Sequence, residues 1–236
     1  EAIPQEVVDK AIMIWTQYPN SPTGASPSLE WYEGFYAWAQ KNNLIIACDE
    51  GCYIDMYFKE KPHSMLEAGV EGVITFYSLS KRNNMTNYRV GFVAGDPELV
   101  GLFKKVKVNV DSGVINAAQD AAIVALHDDD HYKSMNAEYA EKQKILLDTF
   151  RSMGLEVREP DATFYIWQKA PEGMTGVEFA KALLTPEIGV VCTPGEWITE
   201  LDYEGFNPST NFVRFALMPT LENVKLAAEK IETMQF

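Results

Sequence analysis

Residues 73–92 read VITFYSLSKRNNMTNYRVGF, and this stretch decides the fold prediction. It opens with a short, nearly continuous apolar run at 73–77, which is typical of a strand in a sheet that is covered on both faces. A second strand candidate follows at 90–94. The residues between the two strands carry hydroxyl, amine and guanidinium groups. Functional groups of an open α/β sheet gather at the carboxyl ends of its strands, so this loop is the first candidate site.

The flanking segments alternate short apolar runs with longer amphipathic ones, which predicts an α/β protein with a mostly parallel sheet. Strands are expected at 11–16 and 44–48, with a helix between them that Ser26 caps and Pro27 begins. Beyond the deciding stretch, Asp96 followed by proline predicts the start of another helix.

After about residue 111 the pattern of alternating strands and helices gives way to long helical segments and then to short strand candidates, which predicts a second, smaller lobe. A long charged helix is expected at 132–153, stopped by Gly154. Strand candidates then follow at 155–157, 163–168, 188–192 and 212–217, with helices at 176–184 and 221–233. The sequence therefore predicts two domains, residues 1–145 and an α+β domain at 146–236.

Composition excludes several classes of function. The 236 residues carry a formal net charge of −14, which argues against nucleic acid and anionic membranes as partners. The apolar runs are too short to span a bilayer. Three cysteines without a second pair or paired histidines do not make a zinc site, and no metal is expected. Without a visible signal peptide, we expect free thiols and a cytoplasmic protein.

The loop after the strand at 73–77 combines groups that suit one cofactor. Lys81 lies at a strand end, and a lysine there becomes a nucleophile toward carbonyls when burial or neighbouring cations lower its pKa. Arg89 with the hydroxyls of Ser78 and Ser80 can clamp a phosphate, because guanidinium matches phosphate oxygens in a bidentate way. A lysine imine beside a phosphate clamp suggests pyridoxal phosphate.

Two earlier loops supply the other groups that this cofactor needs. An acidic side chain facing the pyridine nitrogen keeps it protonated, and Asp49 can fill that role. Tyr53 and Asn20 can each form a hydrogen bond with the ring hydroxyl.

The order and spacing of these motifs resemble the class I/II aminotransferases of fold type I, the aspartate aminotransferase superfamily, across essentially the whole chain. The matching stretches are YPNSPTG at 18–24, DEGCY at 49–53, SLSKRNNMTNYRVGF at 78–92, TFYIW at 163–167 and NFVRFAL at 211–217. PHSMLEAG at 62–69 and SKRNNMTNYRVG at 80–91 look nearest to the diaminopimelate and succinyl-diaminopimelate branch.

The resemblance implies a fold type I transferase that depends on pyridoxal phosphate: part of a three-layer α/β/α large domain plus a smaller α+β domain. Lys81 would form the Schiff base, Ser78 and Arg89 would hold the phosphate, and Arg214 would bind the substrate α-carboxylate. The reaction implied moves an amino group between an amino acid and a 2-oxo acid, in a homodimer.

Alternatives remain open at this point. One is a carbon–sulfur β-lyase with the same cofactor, and another is a shortened chain without activity. The family's N-terminal elements have no counterpart here and the chain begins without Met, so the sequence is expected to be the C-terminal part of a longer protein. A structural ion pair is the alternative role for Arg214.

Three details depart from the family pattern. Asn87 stands where many relatives have glycine before the Tyr-Arg pair, and asparagine is the next-best residue for a positive φ. Ser21 stands where the family asparagine is usual, so either Asn20 or Ser21 could contact the ring hydroxyl. Counting back from Tyr53 would choose Glu50 over Asp49. Asp49 is preferred because the apolar strand ends there and Gly51 can absorb the extra residue as a bulge.

Overall fold

The first sheet of the chain has three parallel strands and one antiparallel strand. In the computed structural model, which describes residues 3–51, 54–202 and 204–235, the strand order is β1-β2-β3-β4. The strands are β1 (Met13–Gln17), β2 (Ile45–Gly51), β3 (Val73–Ser78) and β4 (Gly91–Gly95). β1, β2 and β3 pair in parallel, and β4 pairs antiparallel with β3. The prediction of an α/β protein with a mostly parallel sheet is confirmed.

Helices occur before, between and after these strands in the chain. They are α1 (Gln5–Val8), α2 (Leu29–Lys41), α3 (Met65–Ala68), α4 (Leu79–Arg82), α5 (Pro97–Asp111), α6 (Asn116–Leu126) and α7 (Asp129–Ser152). Asp96 caps α5 and Pro97 begins it, as predicted. The predicted start of α2 is wrong by two residues, because the Ser28 hydroxyl, and not that of Ser26, accepts the Trp31 N–H.

The core of this region lies between α2 and the sheet. Tyr32 and Ala39 of α2 are fully buried against Ile46 and Cys48 of β2 and Val73 of β3. Burial of β2 on both faces explains its nearly continuous apolar sequence. The sheet is thereby fixed, and the ends of β2 and β3 come to lie side by side.

The chain divides into two compact units, residues 1–20 with 25–133, and residues 21–24 with 134–236. The second unit contains a three-stranded antiparallel sheet in the order β5-β7-β6. Its elements are β5 (Tyr165–Lys169), β6 (Thr193–Pro194), β7 (Phe212–Ala216), α8 (Gly176–Leu183), α9 (Leu221–Ile231) and most of α7.

Two predicted strands of the second unit are wrong. Residues 155–157 form no strand, because α7 ends in a reversal at Gly154, where φ is +77°, and the Leu155 N–H donates back to Phe150 O. Residues 188–192 are irregular, with Ile188 buried and Val191 exposed. Of these two apolar residues, Ile188 packs inside the protein and Val191 does not. Strand pairing begins at Thr193.

Within the described ranges, no helix combines the length and the apolar character that crossing a lipid bilayer requires.

Candidate active site

A short helix begins where β3 ends, and it carries the candidate amine. Ser78 is the last residue of β3 and the N-cap of α4, and its Oγ accepts the Ser80 N–H at 3.2 Å. Leu79 anchors the turn in the core with only 2% exposure. Ser78, Ser80 and Lys81, all half-buried, therefore lie in one turn at the carboxyl edge of the sheet.

The two arginines of this loop differ in what they contact. The Arg82 guanidinium donates to Asp55 at 2.9 Å and to Asp129 at 3.3 Å, and lies 4.5 Å from the centre of the Tyr132 ring. It also donates to the Ala125 carbonyl at 2.9 Å. Two carboxylates thus compensate the charge of Arg82, which makes it a structural anchor for α4.

Arg89 is exposed, and its guanidinium donates to the Thr86 carbonyl at 2.7 Å. Within the described ranges it forms no ion pair, so its charge is available to an anion. The backbone of Arg89 is left-handed, with φ of +51°, a conformation that a non-glycine residue adopts at a cost. Asn87 does not take such a conformation and lies in a 3₁₀ turn, Thr86–Tyr88.

Asp49 lies one strand away from this turn. In the β2–β3 register Asp49 is opposite Phe76, two residues before Ser78. The register then shifts, so that Gly51 is opposite Tyr77 and one extra residue is accommodated. The half-buried Asp49 carboxylate accepts a long hydrogen bond from Gln17 Nε2, at 3.4 Å. The bulge expected near Gly51 is present.

Glu50, the alternative to Asp49, is 1% exposed and its oxygens accept three internal hydrogen bonds. Burial raises the pKa of Glu50, and these hydrogen bonds oppose that rise. Of the two neighbouring carboxylates, Asp49 is therefore the more exposed.

The loop at residues 18–24 carries two further candidate residues, Asn20 and Ser21, and its residues divide between the two units. The Asn20 N–H donates to the Ala25 carbonyl at 2.9 Å, and Asn20 is half-buried in the first unit. Ser21 belongs to the second unit. Tyr53 lies outside the described residues. The predicted contacts of Asn20, Ser21 and Tyr53 with the ring hydroxyl stay predictions.

Arg214 lies in the middle of β7 in the second unit, opposite Trp167 of β5 and Thr193 of β6. Its guanidinium lies 4.4 Å from the centre of the Tyr165 ring. In the part of the chain that the structure describes, Arg214 forms no salt bridge, so the alternative of a structural ion pair has no support there. An arginine held by an aromatic ring and left without a carboxylate can bind one from a ligand.

The residues of the first unit fit pyridoxal phosphate in their chemistry. The Lys81 amine, the Ser78 and Ser80 hydroxyls and the Arg89 guanidinium occur within residues 78–89, and the Asp49 carboxylate lies near the end of the neighbouring strand. These are the groups needed to bind an aldehyde, a phosphate and a protonated pyridine nitrogen.

Sequence reasoning missed the side chains that support this site. The Arg82 contacts with Asp55 and Asp129 join residues 27 and 47 positions apart, and no local pattern indicates them. For Ser64, which contacts Glu50, the sequence signals only a helix start, since Ser64 and Glu67 have capping-box spacing and do form that motif.

Comparison with known proteins agrees with this chemistry. The family model "Aminotransferase class I and II" matches residues 1–231. The chain is 42% identical to an LL-diaminopimelate aminotransferase of Aquifex aeolicus, over 100% of this chain and 59% of that protein. For a homologous LL-diaminopimelate aminotransferase of Nitratidesulfovibrio vulgaris the identity is 38%, over 96% and 57%.

Solved structures give the same result. An aminotransferase from Neisseria meningitidis superposes with a TM-score of 0.89 at 32% identity, covering 98% of this chain and 59% of that one. A probable N-succinyldiaminopimelate aminotransferase from Thermus thermophilus gives a TM-score of 0.84 at 30% identity, covering 98% and 61%. The chain thus spans about three fifths of the length of these relatives.

Proposed function

Because the chain belongs to the class I and II aminotransferases, which have fold type I and depend on pyridoxal phosphate, we propose that it moves an amino group between an amino acid and a 2-oxo acid. The observation that carries the proposal is that Asp49 and the Ser78–Lys81 turn lie at the carboxyl ends of adjacent parallel strands. The names of the relatives favour diaminopimelate as the amino acid, in amino-acid biosynthesis.

Each residue has a proposed role. Lys81 Nζ would hold the cofactor covalently, and as a free amine it would accept the proton of the substrate α-carbon as a general base and donate it as a general acid. Ser78, Ser80 and Arg89 bind the phosphate. When bound, the cofactor supplies a protonated pyridine ring that withdraws electrons from the α-carbon.

The remaining roles concern orientation. Asp49 keeps the proton on the pyridine nitrogen, and Asn20 and Tyr53 bind the ring hydroxyl. Arg214 binds the α-carboxylate as a bidentate pair, and Asn20 also contacts the substrate. In line with the family resemblance, we also propose a cytoplasmic homodimer. Exposed apolar side chains of α5 and α6, among them Val110 and Val124, support an association of this kind.

The test is reductive trapping of the cofactor. The chain is incubated with pyridoxal phosphate, treated with borohydride, digested and mapped by mass spectrometry. We expect the label on the peptide that contains Lys81, and its loss in Lys81→Ala. The matched control is Lys104→Ala, which removes an exposed lysine from α5. Labelling that persists at the wild-type level in Lys81→Ala would contradict the proposal.

The reaction type is tested on the same material. Keto acid formed in excess of the bound cofactor is measured from diaminopimelate and from an amino acid that carries a thiolate leaving group on its β-carbon, each with and without a 2-oxo acid acceptor. Turnover of diaminopimelate that depends on the acceptor indicates amino transfer, whereas keto acid, ammonia and thiol released from the sulfur compound without an acceptor indicate a β-lyase.

A further inference from the structure

Glu50 is a buried carboxylate with an unusual set of partners. Its Oε1 accepts the Met65 N–H at 2.6 Å, and its Oε2 accepts the Ser64 hydroxyl at 2.7 Å and the Tyr77 hydroxyl at 2.8 Å. Both oxygens are therefore engaged inside the protein. Among the residues described, no lysine, arginine or histidine pairs with it.

This arrangement costs free energy of solvation, because a carboxylate loses its hydration on burial and here gains hydrogen bonds but, within the described ranges, no opposite charge. Burial raises the pKa of Glu50, and burial beside Glu50 raises the pKa of Tyr77 to about 12. An apolar side chain at this position would deprive the Met65 N–H and the Ser64 and Tyr77 hydroxyls of a shared acceptor.

The partners show what the carboxylate connects. Glu50 directly follows Asp49 at the bulge of β2, and Tyr77 directly precedes Ser78, the N-cap of α4. The Tyr77 ring also stacks on Phe92 of β4, with ring centres 4.9 Å apart. One side chain thus joins the ends of β2 and β3 at the point where the regular ladder is interrupted.

We infer that Glu50 is a positioning residue: its carboxylate holds the carboxyl end of β2 against that of β3, and so sets Asp49 relative to the turn that carries Ser78 and Lys81. The functional meaning of this inference rests on the proposed function, since Asp49 and Lys81 matter together only when both contact one cofactor. The structural part is independent of it.

The first experiment measures amide hydrogen exchange on the cofactor-free chain. Tyr77→Phe removes one donor and keeps the ring, and Glu50→Leu removes the acceptor that the Met65 N–H and the Ser64 and Tyr77 hydroxyls share. We expect exchange in residues 79–83 to accelerate by about tenfold in Tyr77→Phe, and more in Glu50→Leu. Glu67→Gln is the control, because Glu67 is an exposed carboxylate on α3, the helix at whose start Ser64 and Met65 contact Glu50. Unchanged exchange in both Tyr77→Phe and Glu50→Leu would overturn the inference.

The second experiment measures the affinity for pyridoxal phosphate and the pH dependence of its visible absorption. Glu50→Gln keeps a polar side chain of the same length, so we expect its affinity to stay within about threefold of wild type. Asp49→Asn should lower the affinity and shift the pH dependence, because it removes the charge opposite the pyridine nitrogen.

The outcomes separate the positioning role of Glu50 from the proposed function of the chain. If Glu50→Gln shifts the pH dependence as Asp49→Asn is expected to do, Glu50 contacts the cofactor and the positioning role is wrong. If the wild-type chain neither binds the cofactor nor is trapped at Lys81, the proposed function fails, and the exchange measurement still decides the positioning role.

Discussion

The two sheets present their candidate residues in different ways. In the first unit, Asp49 and Lys81 come at or just after strand ends, where the backbone leaves the ladder and a bulge and a helix start fix the local geometry. In the second unit, Arg214 sits in mid-strand on a regular antiparallel ladder, opposite Trp167 and Thr193. Its neighbours on the same strand, Val213 and Phe215, are buried on the other face.

The difference concerns what holds each group in place. A group at a strand end depends on backbone packing and on buried polar partners, so changes nearby should disturb both fold and site. A group on the outer face of a ladder is positioned by strand alternation alone, so its side chain should be replaceable at little cost to folding.

The sharpest test of this contrast is Gly51→Ala. A Cβ at Gly51 would overlap Tyr77 Cα and the Ser78 nitrogen, so the ends of β2 and β3 would have to separate. We expect a loss of about 3 kcal/mol in the free energy of unfolding, measured by urea denaturation. Gly34→Ala is the control, because nothing lies within 4 Å of that position on α2 and alanine favours a helix by about 1 kcal/mol. Equal stability of the two variants would refute the importance of close backbone packing at the edge.

A smaller effect separates the arginines of the two units. Arg82→Met should lower the free energy of unfolding by about 2 kcal/mol, because it removes the Arg82 hydrogen bonds to Asp55 and to the Ala125 carbonyl. Arg214→Met should cost about 0.5 kcal/mol, since it loses the contact with the Tyr165 ring and breaks no salt bridge among the described residues. Both are measured by the same denaturation. A large loss in Arg214→Met would revive the structural ion-pair alternative.

The smallest expected effect is a pH dependence in the first unit. Asp96 accepts the N–H groups of Gly72 and Glu98, each at 2.8 Å, and these bonds hold the pKa of Asp96 below its ordinary range. Its contribution is therefore full above the ordinary aspartate pKa and is lost as pH falls through the lower folded-state value. Asp96→Ala should lower the melting temperature by a few degrees at neutral pH.

The measurement is a series of melting curves from neutral to acidic pH. The difference between wild type and Asp96→Ala should shrink with acidification, because the wild type then loses the same contribution. Asp96→Asn keeps an amide oxygen that can cap α5, and should lose less at neutral pH. A difference that stays constant down to acidic pH would argue against the assigned hydrogen bonds.

Much of the first unit was predictable because its signals are local. Apolar runs of strand length, Asp96 with Pro97, and a lysine directly after a strand each depend on a few consecutive residues. The parallel sheet, the start of α5 and the position of Lys81 in the turn after β3 follow from such signals.

The rest depended on tertiary packing. The choice between Ser26 and Ser28 as the cap of α2 involves two chemically equivalent side chains. The strand expected at 188–192 failed because apolar residues also pack in irregular segments. The role of Glu50 required the positions of Ser64 and Tyr77, which are 14 and 27 residues away.

The antiparallel direction of β4 has a consequence for insertions and deletions. β4 starts at the sheet edge where β3 ends, with Gly91 opposite Ser78. Residues 79–90 therefore form one connection that begins and ends at this edge, and it carries both the Lys81 amine and the Arg89 guanidinium. A parallel β4 would need a crossover to the far edge first. The spacing between these two cations is therefore encoded in the length of a single loop. A one-residue change in that loop would alter it, while length changes in the long connection between β1 and β2 would leave it intact.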